Sequence, residues 1–188
     1  MTRHLKRFFT RLLFAGLLLT ALPGMADQTS PMLDELFSQL KREASPEEVA
    51  QIEQKIWKVW GFAENTKAHA PFAKGVVSMS AGSLRDAYGY FRDVTSIAPE
   101  FAEGWNKLAT VEFYLGEYEA SVRNIQRTLV LEPRHFGALS GLALIYEATG
   151  QPAQALDVLN QVKEIYPSMP GIDTRMQMLQ DAIAAKKI

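Results

Sequence analysis

The chain has 188 residues, 20 lysines and arginines against 21 aspartates and glutamates, and no cysteine. This nearly balanced charge, with no basic block, argues against nucleic acid as a partner, because binding to phosphates needs a concentrated positive surface. The absence of cysteine excludes disulfides and thiolate metal sites, so the fold depends on packing alone.

The first 26 residues have the pattern of a secretory signal peptide. An apolar run of eleven residues from Leu12 to Leu22 follows a basic segment and precedes small residues at Gly24 and Ala26. A stable membrane anchor needs about 20 apolar residues, so we expect cleavage after Ala26 and no membrane span afterwards. The mature chain would keep 16 basic against 21 acidic residues. The basic residues of the leader are Arg3, Lys6, Arg7 and Arg11.

Residues 31–61 carry two apolar stripes at helical spacing and are predicted to form a helical hairpin. Ser45 and Pro46 mark the start of its second helix, and Gly61 its end. We interpret this hairpin as a cap or a degenerate repeat that covers the first of the repeated units downstream. Trp57 lies beside the second stripe, and it either packs against that first unit or forms an exposed anchor for a partner. The stripes are Leu33, Leu36, Phe37 and Leu40, then Val49, Ile52, Ile56, Val59 and Trp60.

A period of 34 residues organises most of the remaining chain. It is marked by Gly82, Gly116 and Gly150, and by Pro99, Pro133 and Pro167. Each glycine lies where one helix must reverse into the next, and each proline prevents the second helix from continuing. The period predicts three stacked helical hairpins, over residues 68–101, 102–135 and 136–169. Small residues recur where their helices would approach most closely, as Gly75 with Ala87, Ala109 with Ser121, and Ala143 with Ala155.

These units resemble the tetratricopeptide repeat. The third unit matches its pattern best, with Leu139, Leu142, Ala143, Tyr146, Gly150, Ala155, Leu159 and Pro167. The second departs from it at Glu112 and Ser121, and the first at Pro71, Lys74 and Ser78. The resemblance implies an all-α fold, an α-solenoid of tetratricopeptide-type hairpins. Residues 171–188 complete it as a C-terminal capping helix with its stripe at Ile172, Met176, Leu179 and Ile183.

Motifs for catalysis, metal binding or cofactor binding are missing from the sequence. The mature chain has two histidines, His69 and His135, and each lies beside the start of a repeat, where a turn or helix-end role is the simpler interpretation. We therefore expect no catalytic residue, no metal and no cofactor.

The resemblance also implies that the first helices of the units line a concave groove for a segment of another protein. The lysines and arginines with which chaperone-binding members hold a terminal carboxylate are missing here, so the groove is expected to suit an apolar peptide face. In the 34-residue register, its protein-binding positions are Phe72, Val76, Met79, Asn106, Thr110, Phe113, Ser140, Leu144 and Glu147, with His69, Glu103 and Gly137 at the same face.

The second and third units are also similar to a group of exported repeat proteins of Gram-negative envelopes, which implies a periplasmic location. We expect a non-enzymatic adaptor that binds a protein or peptide partner of the cell envelope. The alternative is a holdase-type chaperone that uses the same apolar surface for many clients. An enzyme of unrecognised type is a further alternative.

Overall fold

The computed structural model describes residues 31–42 and 45–185, so the predicted signal peptide lies outside the described residues. Within this part of the chain the regular structure is entirely helical, as predicted. A short 3-10 turn, Thr66–Ala68, precedes the third helix. The helices are α1 (Pro31–Arg42), α2 (Pro46–Trp60), α3 (His69–Ser80), α4 (Leu84–Ile97), α5 (Ala102–Tyr114), α6 (Tyr118–Leu131), α7 (Phe136–Ala148), α8 (Pro152–Ile165) and α9 (Ile172–Ala185).

Three consecutive hairpins, α3 with α4, α5 with α6, and α7 with α8, form the stack. Their first helices reverse at Gly82, Gly116 and Gly150, whose φ angles are 75°, 79° and 73°. A side chain at such an angle would be strained, which is the physical reason for glycine at this period. The second helices end two residues before each periodic proline. The all-α solenoid predicted from the period is confirmed.

Small residues hold the two helices of each hairpin close together. Gly75 is buried, and a Cβ atom added there would lie 2.7 Å from the ring of Phe91. In the second hairpin, the Ser121 hydroxyl donates a hydrogen bond of 2.7 Å to the Ala109 carbonyl across the interface. Close approach at these positions therefore depends on residue size, as the sequence predicts.

The N-terminal hairpin begins and ends where the sequence predicts. The Ser45 side chain caps α2 by accepting a hydrogen bond from the Glu48 backbone N–H, and Pro46 is the first helical residue. Gly61 follows the last residue of α2. The two apolar stripes face each other and form part of the largest core cluster.

The expected position of this hairpin over the first unit is wrong, because it packs on the third unit. Trp60 stacks on His135 at a centroid distance of 4.1 Å and contacts Phe136 at 5.0 Å. Trp57 covers Gly137, where an added Cβ would lie 2.6 Å from its ring. Trp57 is therefore a packing residue, as one interpretation holds, but on a different unit.

The physical reason lies in the two surfaces that compete for the hairpin. The exposed residues of α3 include Ala70, Ala73 and Val77. The third unit offers Phe136 and Tyr166, both buried in the shared cluster. On the third unit the hairpin shares a core with these two aromatic residues, and the apolar area buried there contributes to folding.

Polar contacts tie the hairpin to the end of the second unit and to the third unit. Arg134 Nη1 lies 2.6 Å from Asp34 Oδ1. The Tyr166 hydroxyl donates a hydrogen bond of 3.1 Å to Glu53. Another Glu53 oxygen accepts the indole N–H of Trp57 at 3.1 Å. Glu53 thus ties α2 to the end of α8.

The last helix, α9, packs on α8 with the predicted stripe. Ile172 and Leu179 are buried, and Met176 packs against the same cluster. Aspartates and glutamines occupy its outer side, which suits the end of a solenoid. None of the helices described here is long and apolar enough to cross a membrane.

We expect Gly75→Ala to lower the free energy of unfolding by about 1 to 3 kcal/mol, because the added methyl group must displace the buried ring of Phe91. Gly89→Ala is the matched control, since Gly89 is an exposed helical residue with nothing within 4 Å of an added Cβ. It should stabilise the protein by about 0.5 to 1 kcal/mol. Urea denaturation measures both changes, and equal effects would contradict the close contact between α3 and α4.

Candidate functional site

A concave cavity of about 190 Å³ lies between the first helices of the second and third units. No charged side chain contributes to its lining. Tyr114 and Leu144 stand at its edge and are 63% and 41% exposed. The lining residues are Asn106, Ala109, Thr110, Phe113, Tyr114, Ser121, Ile125, Gly137, Ser140, Gly141 and Leu144. The structure therefore brings together Asn106, Thr110, Phe113, Ser140 and Leu144 from the predicted groove set.

The groove positions predicted in the first unit do not join this cavity. Phe72, Val76 and Met79 are half-buried and pack in a cluster with α4 and α5. The Phe72 ring lies 5.2 Å from that of Phe101, between centroids. These apolar side chains pack partly against the neighbouring helices, and Phe72 lines a separate cavity together with His69 and Phe101.

Glu147 is also engaged elsewhere. Its carboxylate lies 2.7 Å from the Arg175 guanidinium of α9. The sequence predicts α9 as a cap, but it gives no sign that an arginine of this helix would reach α7. Glu147 therefore helps to hold the C-terminal helix in place, outside the cavity.

One end of the groove is closed by a buried polar network around Glu103. His135 Nε2 lies 3.0 Å from Glu103 Oε2, and Asn106 Nδ2 donates to the same oxygen at 2.7 Å. Lys107 Nζ is 3.0 Å from the other oxygen. Lys107 also lies over the ring of Trp57, 5.7 Å from its centroid. The carboxylate is thus paired on both oxygens and shielded from water.

His135 has a defined tautomer in this network. The backbone N–H of Ala138 donates to His135 Nδ1 at 3.1 Å, which caps the start of α7. Because Nδ1 accepts that bond, the ring hydrogen belongs on Nε2, where it points at Glu103. The predicted helix-end role of His135 is confirmed. Its pairing with Glu103, and its burial under Trp60, were not predicted.

The pKa values of two buried glutamates of α5 are shifted in opposite directions by their surroundings. Burial alone would raise the pKa of Glu103, but the hydrogen bond from His135 and the charge of Lys107 outweigh it and lower the pKa. Burial does raise the pKa of Glu112, and the hydrogen bond from Asn124 offsets only part of this effect. Glu112 occupies the position of the repeat's usual tyrosine, on the side of α5 that faces α6.

Within residues 31–42 and 45–185, no group of histidines and carboxylates is placed to hold a metal ion. The groove is built instead from amide, hydroxyl and apolar side chains. Such a lining can bury an apolar side chain and hydrogen-bond a peptide backbone.

Known proteins share the repeat pattern of this chain. A family model described as tetratricopeptide repeat matches residues 106–170. A TPR repeat-containing protein of Rhizobium etli is 31% identical over 155 residues, which cover 82% of this chain and 76% of that protein.

Solved structures share the fold at low sequence identity. The crystal structure of MamA has a TM-score of 0.60 at 16% identity and covers 86% of this chain and 87% of its own. The Yersinia enterocolitica type III secretion chaperone SycD, solved with a peptide of the translocator YopD, has a TM-score of 0.57 at 17% identity. It covers 63% of this chain and 93% of its own.

The fold and the groove together define a helical repeat solenoid of the protein-interaction class. The chain belongs to the tetratricopeptide repeat family, as the identity to the Rhizobium protein shows. It is a scaffold of the kind that this family uses for protein interaction.

We expect Glu103→Gln to lower the free energy of unfolding at pH 7 by about 1 to 3 kcal/mol, because His135 and Lys107 lose a buried ionised partner. The pKa of Glu103 is lowered on folding, so its contribution is present above the ordinary value of 4.5 and is lost as pH falls through the folded value. The difference in the free energy of unfolding between the variant and the wild type should therefore become smaller in acid. Urea denaturation across the pH range measures this.

Glu112→Gln should behave in the opposite way. The pKa of Glu112 is raised on folding, so its ionisation costs stability that protonation restores. The variant should be more stable than the wild type at pH 7, and this advantage should shrink as the pH falls through the folded pKa. If the free energy of unfolding changed with pH in the same way for both variants, the environments assigned to Glu103 and Glu112 would be contradicted.

Proposed function

We propose that this protein is an adaptor of the bacterial cell envelope that binds a segment of a partner protein in the cavity between α5 and α7. The observation that carries the proposal is the uncharged, concave lining, with exposed Tyr114 and Leu144 at its edge. Exposed apolar patches and grooves on proteins mark sites of interaction with other proteins or ligands. The SycD structure with a peptide supports the same mode on the same fold.

The chemistry of the lining favours an internal segment of the partner. A terminal carboxylate would need lysines or arginines, and the cavity contains neither. The nearby Lys107 is already paired with Glu103. An uncharged stretch with bulky apolar side chains is the occupant that this surface would bind best.

The envelope location rests on the predicted signal peptide. We expect the mature protein to begin at Asp27 and to fractionate with the soluble contents of the periplasm, because eleven apolar residues are too few for a stable anchor. Mass spectrometry of the purified protein and fractionation of the native host test this. An intact N-terminus retained in the membrane fraction would contradict it.

Phe113→Ser should weaken capture of the partner by about 1 to 3 kcal/mol, as expected for an aromatic anchor in a binding site. Phe113 is half-buried beside Tyr114 and Tyr118, with ring centroids 5.6 Å away in both pairs. Val130→Ser is the control, since Val130 is 66% exposed on α6 and lies outside the cavity lining. Affinity capture from envelope extracts, quantified by mass spectrometry, compares both variants with the wild type.

The outcome separates the possible functions. One or two stoichiometric proteins that are lost with Phe113→Ser support the adaptor, whereas a broad set of weakly held proteins supports a holdase. A loss of about 3 kcal/mol or more in stability would identify Phe113 as a packing residue. Retained capture in a folded Phe113→Ser protein would place the binding surface elsewhere.

A further inference from the structure

Two glycines on α7, Gly137 and Gly141, both line the cavity but differ in what surrounds them. A Cβ atom on Gly137 would lie 2.6 Å from the Trp57 ring, so the packed N-terminal hairpin requires glycine there. A Cβ atom on Gly141 would meet a methyl group of Ile125 at 3.7 Å, which is an ordinary contact. Packing therefore explains the first glycine and leaves the second unexplained.

Glycine inside a helix lowers stability relative to alanine, because the unfolded chain loses more conformational freedom on folding. Gly141 lies in the middle of α7, with a helical backbone angle that any residue can adopt. Neither backbone geometry nor a steric clash accounts for it. A side chain at this position would reduce the volume of the cavity, because it would project into the space between α5 and α7.

We propose that Gly141 keeps open a subsite that takes one uncharged, apolar side chain of the partner segment, of the size of leucine or phenylalanine. The proposal rests on the proposed function and assigns the chemistry of its site. Apolar side chains of Ala109, Phe113, Ile125 and Leu144 surround the space, and no charged group lies among the lining residues. A charged side chain would lose its hydration there without gaining a partner.

The lining of the same cavity also contains a polar atom that is unpaired in the part of the chain that the structure describes, the hydroxyl oxygen of Ser140. The Ser140 hydroxyl oxygen is buried and has no hydrogen-bond partner within the described residues. Buried hydroxyl groups are nearly always hydrogen-bonded. Asn106, on the opposite helix, is 6% exposed and donates to Glu103, which fixes its orientation. Because the Ser140 oxygen has almost no accessible surface, its side chain must rotate about χ1 before it can bond a peptide group beside the inserted side chain.

The test uses the full mature chain with Gly141→Leu, which fills the subsite, and Gly141→Ala, which narrows it. Gly89→Leu is the matched control, since Gly89 is a helical glycine of α4 with open space around an added Cβ. The probes are the capped amino acids N-acetyl-leucine amide, N-acetyl-phenylalanine amide, N-acetyl-lysine amide and N-acetyl-glutamate amide. Binding is followed by the shifts of backbone amide signals in two-dimensional NMR.

We expect the leucine and phenylalanine probes to give saturable shifts at Asn106, Ser140 and Leu144, and the charged probes to give none. Gly141→Leu should remove these shifts, and Gly89→Leu should retain them. Gly141→Ala should weaken binding several-fold while raising the melting temperature by about 1 to 3 °C, since alanine is the better helix former. This combination of higher stability and weaker binding would not follow from a merely structural glycine.

Saturable shifts that persist in a folded Gly141→Leu protein would overturn the subsite, as would shifts confined to other surfaces or equal binding of the charged probes. If Gly141→Leu fails to fold, Gly141→Ala decides the question by the same shifts. Partner capture separates this proposal from the proposed function. Capture that is lost with Phe113→Ser but unchanged with Gly141→Leu would leave the groove as the binding site and remove the subsite.

Discussion

The burial of Trp60 against the third unit is the contact on which much of the remaining structure depends. Its indole ring lies flat on His135, with ring planes 9° apart, and closes the N-terminal hairpin onto α7. This stacking fixes the imidazole so that one nitrogen caps α7 and the other faces Glu103. Glu103 in turn fixes Asn106, a wall of the cavity. Hydrophobic burial at one end of the molecule thus orients the polar side chains of the groove.

The same contact divides the groove into two parts with different properties. Toward the hairpin, charges are present but already paired in a buried network. Away from it, the surface is open and uncharged. The contribution of the hairpin is therefore to end the groove as well as to add to the core.

The sequence is informative wherever a residue's role depends on local geometry. Gly116 needs a positive φ, Pro133 ends a helix, and Gly75 allows two helices to approach, and each requirement is visible in a single chain. It is uninformative where two surfaces compete for the same partner. Nothing in the spacing of Trp57 and Trp60 distinguishes the first unit from the third, because that choice depends on the apolar area each surface offers.

The groove shows the same limit at the level of single side chains. The repeat register places Phe72 and Phe113 on the same face, yet Phe72 lines a separate cavity beside Phe101, while Phe113 lines the cavity between α5 and α7. The repeat register specifies the direction in which a side chain points. Packing against neighbouring residues determines whether that side chain remains accessible to solvent. Glu103 and His135 lie at the two ends of the second unit, 32 residues apart, and the repeat pattern gives no sign that they pair. Under the proposed function, recognition in this groove depends on the shape of the open cavity and on apolar burial, because the charges nearest to it are already used to hold the fold together.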